Sequence, residues 1–248
     1  MASLLHDDVL DNAATRRGLR ALNIEMGNKL AILAGDFLLA RASVTLASLR
    51  DADVIMLLST VIEHLVTGEV MQSTARPEEL LSFDFYTRKT HFKTASLIAK
   101  SCKAVALLGG QPHDVAEHAY EYGRHLGLAF QYVDDVLDFT GTALALGKPA
   151  LSDLRSGIAT GPVLFAAAQV PALRLMVQRR FKEPGDVEQA LLWVQDSTGV
   201  QQTRDLATQH AAAARESLAL MPQPQSEHAA AARAALVELT HIVLRRTK

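Results

Sequence analysis

A single cysteine, Cys102, stands among 248 residues, so no disulfide can form within the chain and packing must hold it together. Cys102 lies in an apolar, helix-like run, which marks it as a core residue. Aromatic residues are scarce at 5%, against 49% hydrophobic residues overall, so the core is aliphatic. Neither sign of charge dominates. A formal net charge of −2 gives no global attraction for a polyanion, so nucleic acid is not an expected partner and basic residues must act locally. Long unbroken apolar runs are missing as well. The longest uncharged window, Ser156 to Leu173, is interrupted by Gly157, Gly161, Pro162 and Pro171 and carries Ser156, Thr160 and Gln169. It reads as a buried helix and not as a membrane span. The first residues, MASLLHDD, carry no basic, apolar and small-residue leader. They open in the middle of an apolar pattern.

What is present is helical periodicity. NKLAILAGDFLLARASVTLA and DADVIMLLSTVIEHLVTGEVMQ place apolar residues three and four apart over several turns. THFKTASLIAKSCKAVALLGG does the same and stops at Gly109-Gly110, and DVAEHAYEYGRHLGLAFQYVDDVLDF forms another long helix ending near Gly141. No stretch alternates apolar and polar residues as a strand does. Breaks fall around residues 18–23, 48–52, 74–82, 109–114, 141–152, 182–186 and 221–226. Short breaks between long helices predict an all-α bundle in one domain, residues 1–248.

The pentapeptide DDVLD occurs twice, at Asp7–Asp11 and Asp134–Asp138. On a helix, residues i and i+4 share a face and i+1 flanks them. Asp7 and Asp11 therefore project together with Asp8 beside them, and Asp134, Asp138 and Asp135 repeat the arrangement. A solvated acidic face is the plain alternative. It fits badly, because the flanks are apolar and no lysine follows four residues on. Carboxylates in apolar surroundings need a cation, and hard oxygen donors at this spacing suit Mg²⁺ completed by water and substrate phosphate. Basic residues lie at Arg16-Arg17, where the first helix should end, at Lys93 in KTASL and at Lys148 in GKPALSD. Singly, each is an ordinary surface residue. Beside two metal-type acidic clusters, they describe a pocket for a diphosphate ester.

These residues resemble the trans-isoprenyl diphosphate synthase family, and within it the long-chain polyprenyl synthases that make ubiquinone side chains. The likeness runs through LLHDDVLDNAATRRG, GNKLAILAGDFLLARA, GEVMQ, KTASLIAKSC, GLAFQYVDDVLDF, GKPALSDLRSGIATGPVLFA and the basic C-terminus. It implies a helical bundle around a deep central cavity. It also implies that Asp7, Asp8 and Asp11 hold Mg²⁺ on the allylic diphosphate, with Asp134, Asp135 and Asp138 holding the remaining ions from the opposite wall, three ions to a site. Arg16 resembles an allylic diphosphate ligand and Arg17 one for isopentenyl diphosphate. Lys93, Thr94, Gln131 and Lys148 match positions that hold the allylic diphosphate or steady the developing cation. Gln72 faces the same cavity by resemblance; on sequence alone a helix-surface amide is equally open. Ala2 and Ser3, one turn before Asp7, are small and leave the cavity floor open, which implies an all-trans product of about thirty to fifty carbons, each added unit burying more apolar surface.

The resemblance also sets expectations about assembly and place. The substrates would be isopentenyl diphosphate and an allylic diphosphate, farnesyl or geranylgeranyl. A homodimer or hetero-oligomer is implied, mitochondrial on the matrix side, with peripheral inner-membrane association. Relatives begin well before the first aspartate motif, with a basic GKxxRP-type motif and a second-helix histidine in the preceding part. The chain is thus expected to be N-terminally truncated, to lack the first helices and to condense poorly by itself. The lysine that many relatives have in GKxTxP is Ile158 here. A terpene cyclase is disfavoured by the second DDVLD. The alternative from another class is a non-catalytic or inactive subunit of a hetero-oligomeric synthase.

Overall fold

Amphipathic spacing turns into helix almost throughout. The structure is a computed structural model that describes residues 1–141 and 151–247, so Lys148 lies outside the described residues. These residues separate into two compact units, Met1–Ile55 and Met56–Thr140 with the residues from Leu151 onward.

In the first unit α1 (Ala2–Leu10) leads into a two-residue hairpin, β1 (Thr15–Arg16) and β2 (Leu19–Arg20), then α2 (Leu22–Met26) and α3 (Asn28–Ser48). The hairpin corrects the expectation that no strand is present. Its antiparallel pairs are Thr15 with Arg20 and Arg16 with Leu19. The two linking residues, Arg17 and Gly18, both have positive φ, 53° and 78°, which is what a two-residue hairpin turn of primed type needs. Strands this short leave no alternation to read. Helix α1 packs on α3 because Gly35 has no side chain: a Cβ there would stand 2.2 Å from the His6 ring. His6 Nε2 lies 3.1 Å from the Ile32 carbonyl. Helix α3 buries only Ala31 and Gly35, leaving Leu30, Leu33, Phe37 and Val44 exposed.

The second unit is built on α7 (His113–Thr140). Before it come α4 (Ala52–Thr74, which begins in the first unit), a 3₁₀ turn at Glu79–Leu81, α5 (Phe83–Thr90), a π turn at His91–Ala95 and α6 (Ser96–Leu108). After it come α8 (Ser152–Arg155), α9 (Gly161–Gln169), α10 (Pro171–Gln178), α11 (Asp186–Asp196), α12 (Gly199–Ala219) and α13 (Glu227–Arg245). Glycines four apart bring α6 onto α7: a Cβ at Gly123 would lie 2.7 Å from the Ala99 backbone, and one at Gly127 2.6 Å from that of Ala95. On the other flank the alanines of α12, Ala207, Ala211 and Ala214, are fully buried. Their small size lets the two helix axes approach.

Two expectations need adjusting. The uncharged window from Ser156 is buried mainly between Ala159 and Ala167 and exposed at Ala168, Gln169, Pro171 and Ala172. Pro171 starts a new helix after the extended Val170, so the window contributes to two helices; proline is favoured at a first helical position and cannot continue one. The run through THFKTASL is not one α-helix, because the π turn interrupts it. Helices α3 and α4 are each long and apolar enough to cross a bilayer, with mean hydropathy 1.6.

Candidate active site

The first acidic motif sits at the end of α1. The helix stops at Leu10, earlier than the Arg16-Arg17 pair, yet Asp11 keeps helical dihedrals and its N–H donates to the Asp7 carbonyl at 2.8 Å. Asp7 and Asp11 are therefore stacked one turn apart, half-buried and exposed respectively. Asp8 points inward and is 2% exposed. The hairpin carries Arg16 back to it, where Arg16 Nε donates to Asp8 Oδ1 at 2.9 Å and a second guanidinium nitrogen bonds the same oxygen. Asn23 Nδ2 donates to the carbonyls of Asp8 and Ala13, each at 3.2 Å, which fixes the turn below the motif. Asn23 was not singled out by the sequence; nothing in LNIEM marks it. Arg17 is exposed at the hairpin tip, and Ala2 and Ser3 are half-buried on α1.

The second motif ends α7, and its three carboxylates have different surroundings. Asp134 is 41% exposed and pairs with Arg246 at 2.7 Å. Arg246 also stacks over the Phe130 ring at 3.8 Å and donates to the Phe130 carbonyl at 2.5 Å. Asp135 is buried, accepting from Gln131 Nε2 at 2.9 Å and from the Tyr86 hydroxyl. Thr94 Oγ1 donates to Gln131 Oε1 at 2.9 Å and orients that amide. Burial, reinforced by the charge of Asp153, lifts the Asp135 carboxyl to about 7 against the pull of Tyr86, Gln131 and Lys89. Asp138 is fully buried. It accepts from Ser152 N–H and hydroxyl and from Asp153 N–H at 3.2–3.3 Å, closing the start of α8.

Lys93 comes from the π turn, whose extra residue shifts the side chains that follow; such turns recur at functional sites. Its ammonium meets Glu69 Oε2 at 2.5 Å and Gln72 Oε1 at 3.4 Å. This explains GEVMQ. Gly68 makes room for the lysine stem, since a Cβ there would lie 2.6 Å from Lys93 Cγ, and Glu69 and Gln72 grip its head. Gln72 thus joins the charged cluster. Tyr86, Glu69 and Arg246 went unassigned in the sequence: the first two are brought in only by packing, and Arg246 lies in a basic tail with no spacing signal.

The donor set fits a hard divalent cation. Both motifs offer oxygen only, and burial leaves Asp135 short of positive charge. Among the described residues, no three carboxylate, imidazole or thiolate groups converge closely enough to hold an ion by themselves. Mg²⁺ commonly takes one or two carboxylates and completes its shell with water and substrate phosphates.

The sequence of the polyprenyl synthetase family matches residues 1–194, through both acidic motifs. The chain belongs to that family. It is 52% identical over 248 residues to solanesyl diphosphate synthase 3, chloroplastic/mitochondrial, of Arabidopsis thaliana, covering all of this chain and 59% of that protein. It is 53% identical over 248 residues to the mitochondrial solanesyl-diphosphate synthase 1 of Oryza sativa subsp. japonica, covering 100% of this chain and 58% of that one. The chain therefore spans less than two thirds of the length of these relatives. Among solved structures, the polyprenyl synthase of Caulobacter crescentus complexed with calcium and isoprenyl diphosphate superposes with a TM-score of 0.89 at 34% identity, covering 100% of this chain and 75% of that one. The helical fold is thus that of the isoprenoid-synthase type.

Proposed function

We propose that the protein is a metal-dependent prenyltransferase that joins isopentenyl diphosphate head-to-tail to farnesyl or geranylgeranyl diphosphate, extending it to a long all-trans polyprenyl diphosphate for a ubiquinone side chain. The observation that carries this reading is the pairing of each DDVLD motif with its own arginine, Arg16 on Asp8 and Arg246 on Asp134, the second motif also being held through Gln131 to Thr94. Carboxylates of Asp7, Asp8, Asp11, Asp134, Asp135 and Asp138 would hold Mg²⁺. When bound, the metal offsets the charge that grows on the departing diphosphate. Arg16, Lys93 and, by sequence alone, Lys148 hold the allylic diphosphate, and Arg17 holds isopentenyl diphosphate. Thr94 and Gln131 present oxygens to the developing allylic cation. The double bond of isopentenyl diphosphate attacks that cation, and a proton then leaves, most simply to the diphosphate released.

Product length follows from α1. Ala2 and Ser3 leave space one turn before Asp7, so the chain grows to about thirty to fifty carbons on burial of apolar surface. A second copy is the proposed partner, supported by the exposed Leu33 and Phe37 of α3 and, separately, by the exposed Ile62, Val66 and Val70 of α4. The proposed location is mitochondrial, on the matrix side, in keeping with the names of the relatives.

The test is a condensation assay with radiolabelled isopentenyl diphosphate, farnesyl diphosphate and Mg²⁺. It is run on the chain alone and on the chain preceded by the corresponding part of the rice synthase. Label entering polyprenols longer than the primer, and lost on adding EDTA, is the expected result for the joined form. No condensation in either form, with farnesyl diphosphate still bound, would leave the non-catalytic subunit as the better reading.

A further inference from the structure

A cavity of about 20 Å³ lies in the second unit, bordered by Gln72, Tyr86, Lys89, Ile158 and Arg180. That volume holds about one water, and the two cations on its wall differ in what they do. Arg180 is committed: it donates to the carbonyls of Gln72 at 3.3 Å and Ala75 at 3.0 Å, capping the C-terminal end of α4, where a positive charge meets the negative end of the helix dipole. Gly157 keeps it there, since its backbone has φ 76° and a Cβ would press to 3.0 Å on the Arg180 carbonyl.

Lys89 is not committed. Among the described residues it makes no ion pair, and its ammonium rests 5.8 Å over the Tyr86 ring, a weak cation–π contact. It precedes Lys93 by one turn. The charges it feels are Asp135 of the second motif, Lys93, Asp153 and Glu69. Burial pushes its ammonium down from the ordinary lysine value. A half-buried cation with an aromatic floor, near enough to Asp135 to feel its charge but with no carboxylate at ion-pair distance among the described residues, is arranged to receive an anion from outside the protein. Across the cavity stands Ile158, which brings no charge.

We propose that Lys89 is a further binding residue for the allylic diphosphate, adding a second ammonium beside Lys93 and supplying the positive charge that the apolar Ile158 leaves out of this wall. The assignment rests on the prenyltransferase reading above. Lysine suits the place because its head is a compact point charge on a flexible stem, able to follow phosphate oxygens as the ester bond opens.

The experiment is calorimetric titration of the 248-residue chain with farnesyl diphosphate, and separately with inorganic pyrophosphate, in Mg²⁺. Three proteins are compared: unmutated, Lys89→Met, and Lys89→Met combined with Ile158→Lys. Lys89→Met should weaken both ligands by about tenfold or more, the loss of one charge-assisted hydrogen bond. It should leave the melting temperature and the affinity for isopentenyl diphosphate unchanged. Returning the charge from the opposite wall, in the double variant, should recover most of the affinity; a structural role for Lys89 has no reason to be rescued that way. Equal binding by the unmutated and Lys89→Met proteins overturns the assignment and leaves the functional reading standing. Weakening without recovery in the double variant also overturns it. Failure of the unmutated chain to bind either diphosphate overturns the functional reading and this assignment together.

Discussion

The six motif aspartates carry the same letters but face different physics. Asp134 is partly open and balanced by Arg246, whereas Asp135 is sealed beneath Tyr86 and Gln131. Replacing Asp134 by alanine should lower turnover by about a hundredfold or more, the range seen when one group that stabilises transition-state charge is lost. The condensation assay on the joined form reads this directly. Tyr86→Phe keeps the ring and removes the donor to Asp135. Leaving a buried carboxylate oxygen unsatisfied costs about 1–3 kcal/mol, so urea unfolding should show a midpoint lowered with an unchanged slope. Ring and charge patterns hid this tyrosine in the sequence, since FDFYTRKT offers no motif around it.

At the scale of elements, α7 packs through small residues on both flanks, and the flank facing α12 adds a pair of histidines. Gly127→Leu would drive a side chain into the Ala95 backbone, a contact already at 2.6 Å for a bare Cβ. Overpacking of this kind costs about 1–3 kcal/mol, measurable by the same unfolding curves. On the other flank, His125 of α7 and His210 of α12 bring their Nδ1 atoms to 2.7 Å, so one must donate and the other accept, and both protonated is forbidden. Burial first, then His125 and Arg124, lowers His210 to about 4. A base whose folded value lies below its unfolded one contributes stability above pH 6.5 that is lost as pH falls toward 4. Unfolding midpoints should therefore drop across that window, and His210→Gln should flatten the drop. A slope unaltered by this substitution would place the acid sensitivity elsewhere, with His91, itself lowered to about 4 by burial and His64, the next residue to replace.

For the whole molecule, the long helices were legible because their apolar period repeats over many residues, and the acidic motifs because the same five residues occur twice. The π turn at His91–Ala95 was not, since one extra residue in a continuous helix leaves the apolar pattern almost intact. The hairpin at Thr15–Arg20 escaped because two-residue strands have no period, although Arg17-Gly18 held the turn signal. Arg16 was expected near the first motif, and packing shows how: the hairpin returns it to Asp8. The apolar exposure of α3 also belongs to this scale. Leu33 and Phe37 are 51% and 65% exposed, and burying such side chains yields about 1.5–3 kcal/mol each. The chain should sediment as a dimer, and Leu33→Asp with Phe37→Asp should shift it to monomer.

The most direct test of prenyl elongation is the length of what is made. Products of the joined form, after removal of phosphate, are separated by thin-layer chromatography against polyprenol standards. Polyprenols of about thirty to fifty carbons are predicted from the proposal that the small side chains of Ala2 and Ser3 leave the cavity floor open to growth on burial of apolar surface, and Ala2→Phe should shorten them while condensation continues. Farnesol or geranylgeraniol as the sole product of the unmutated sequence would contradict the account.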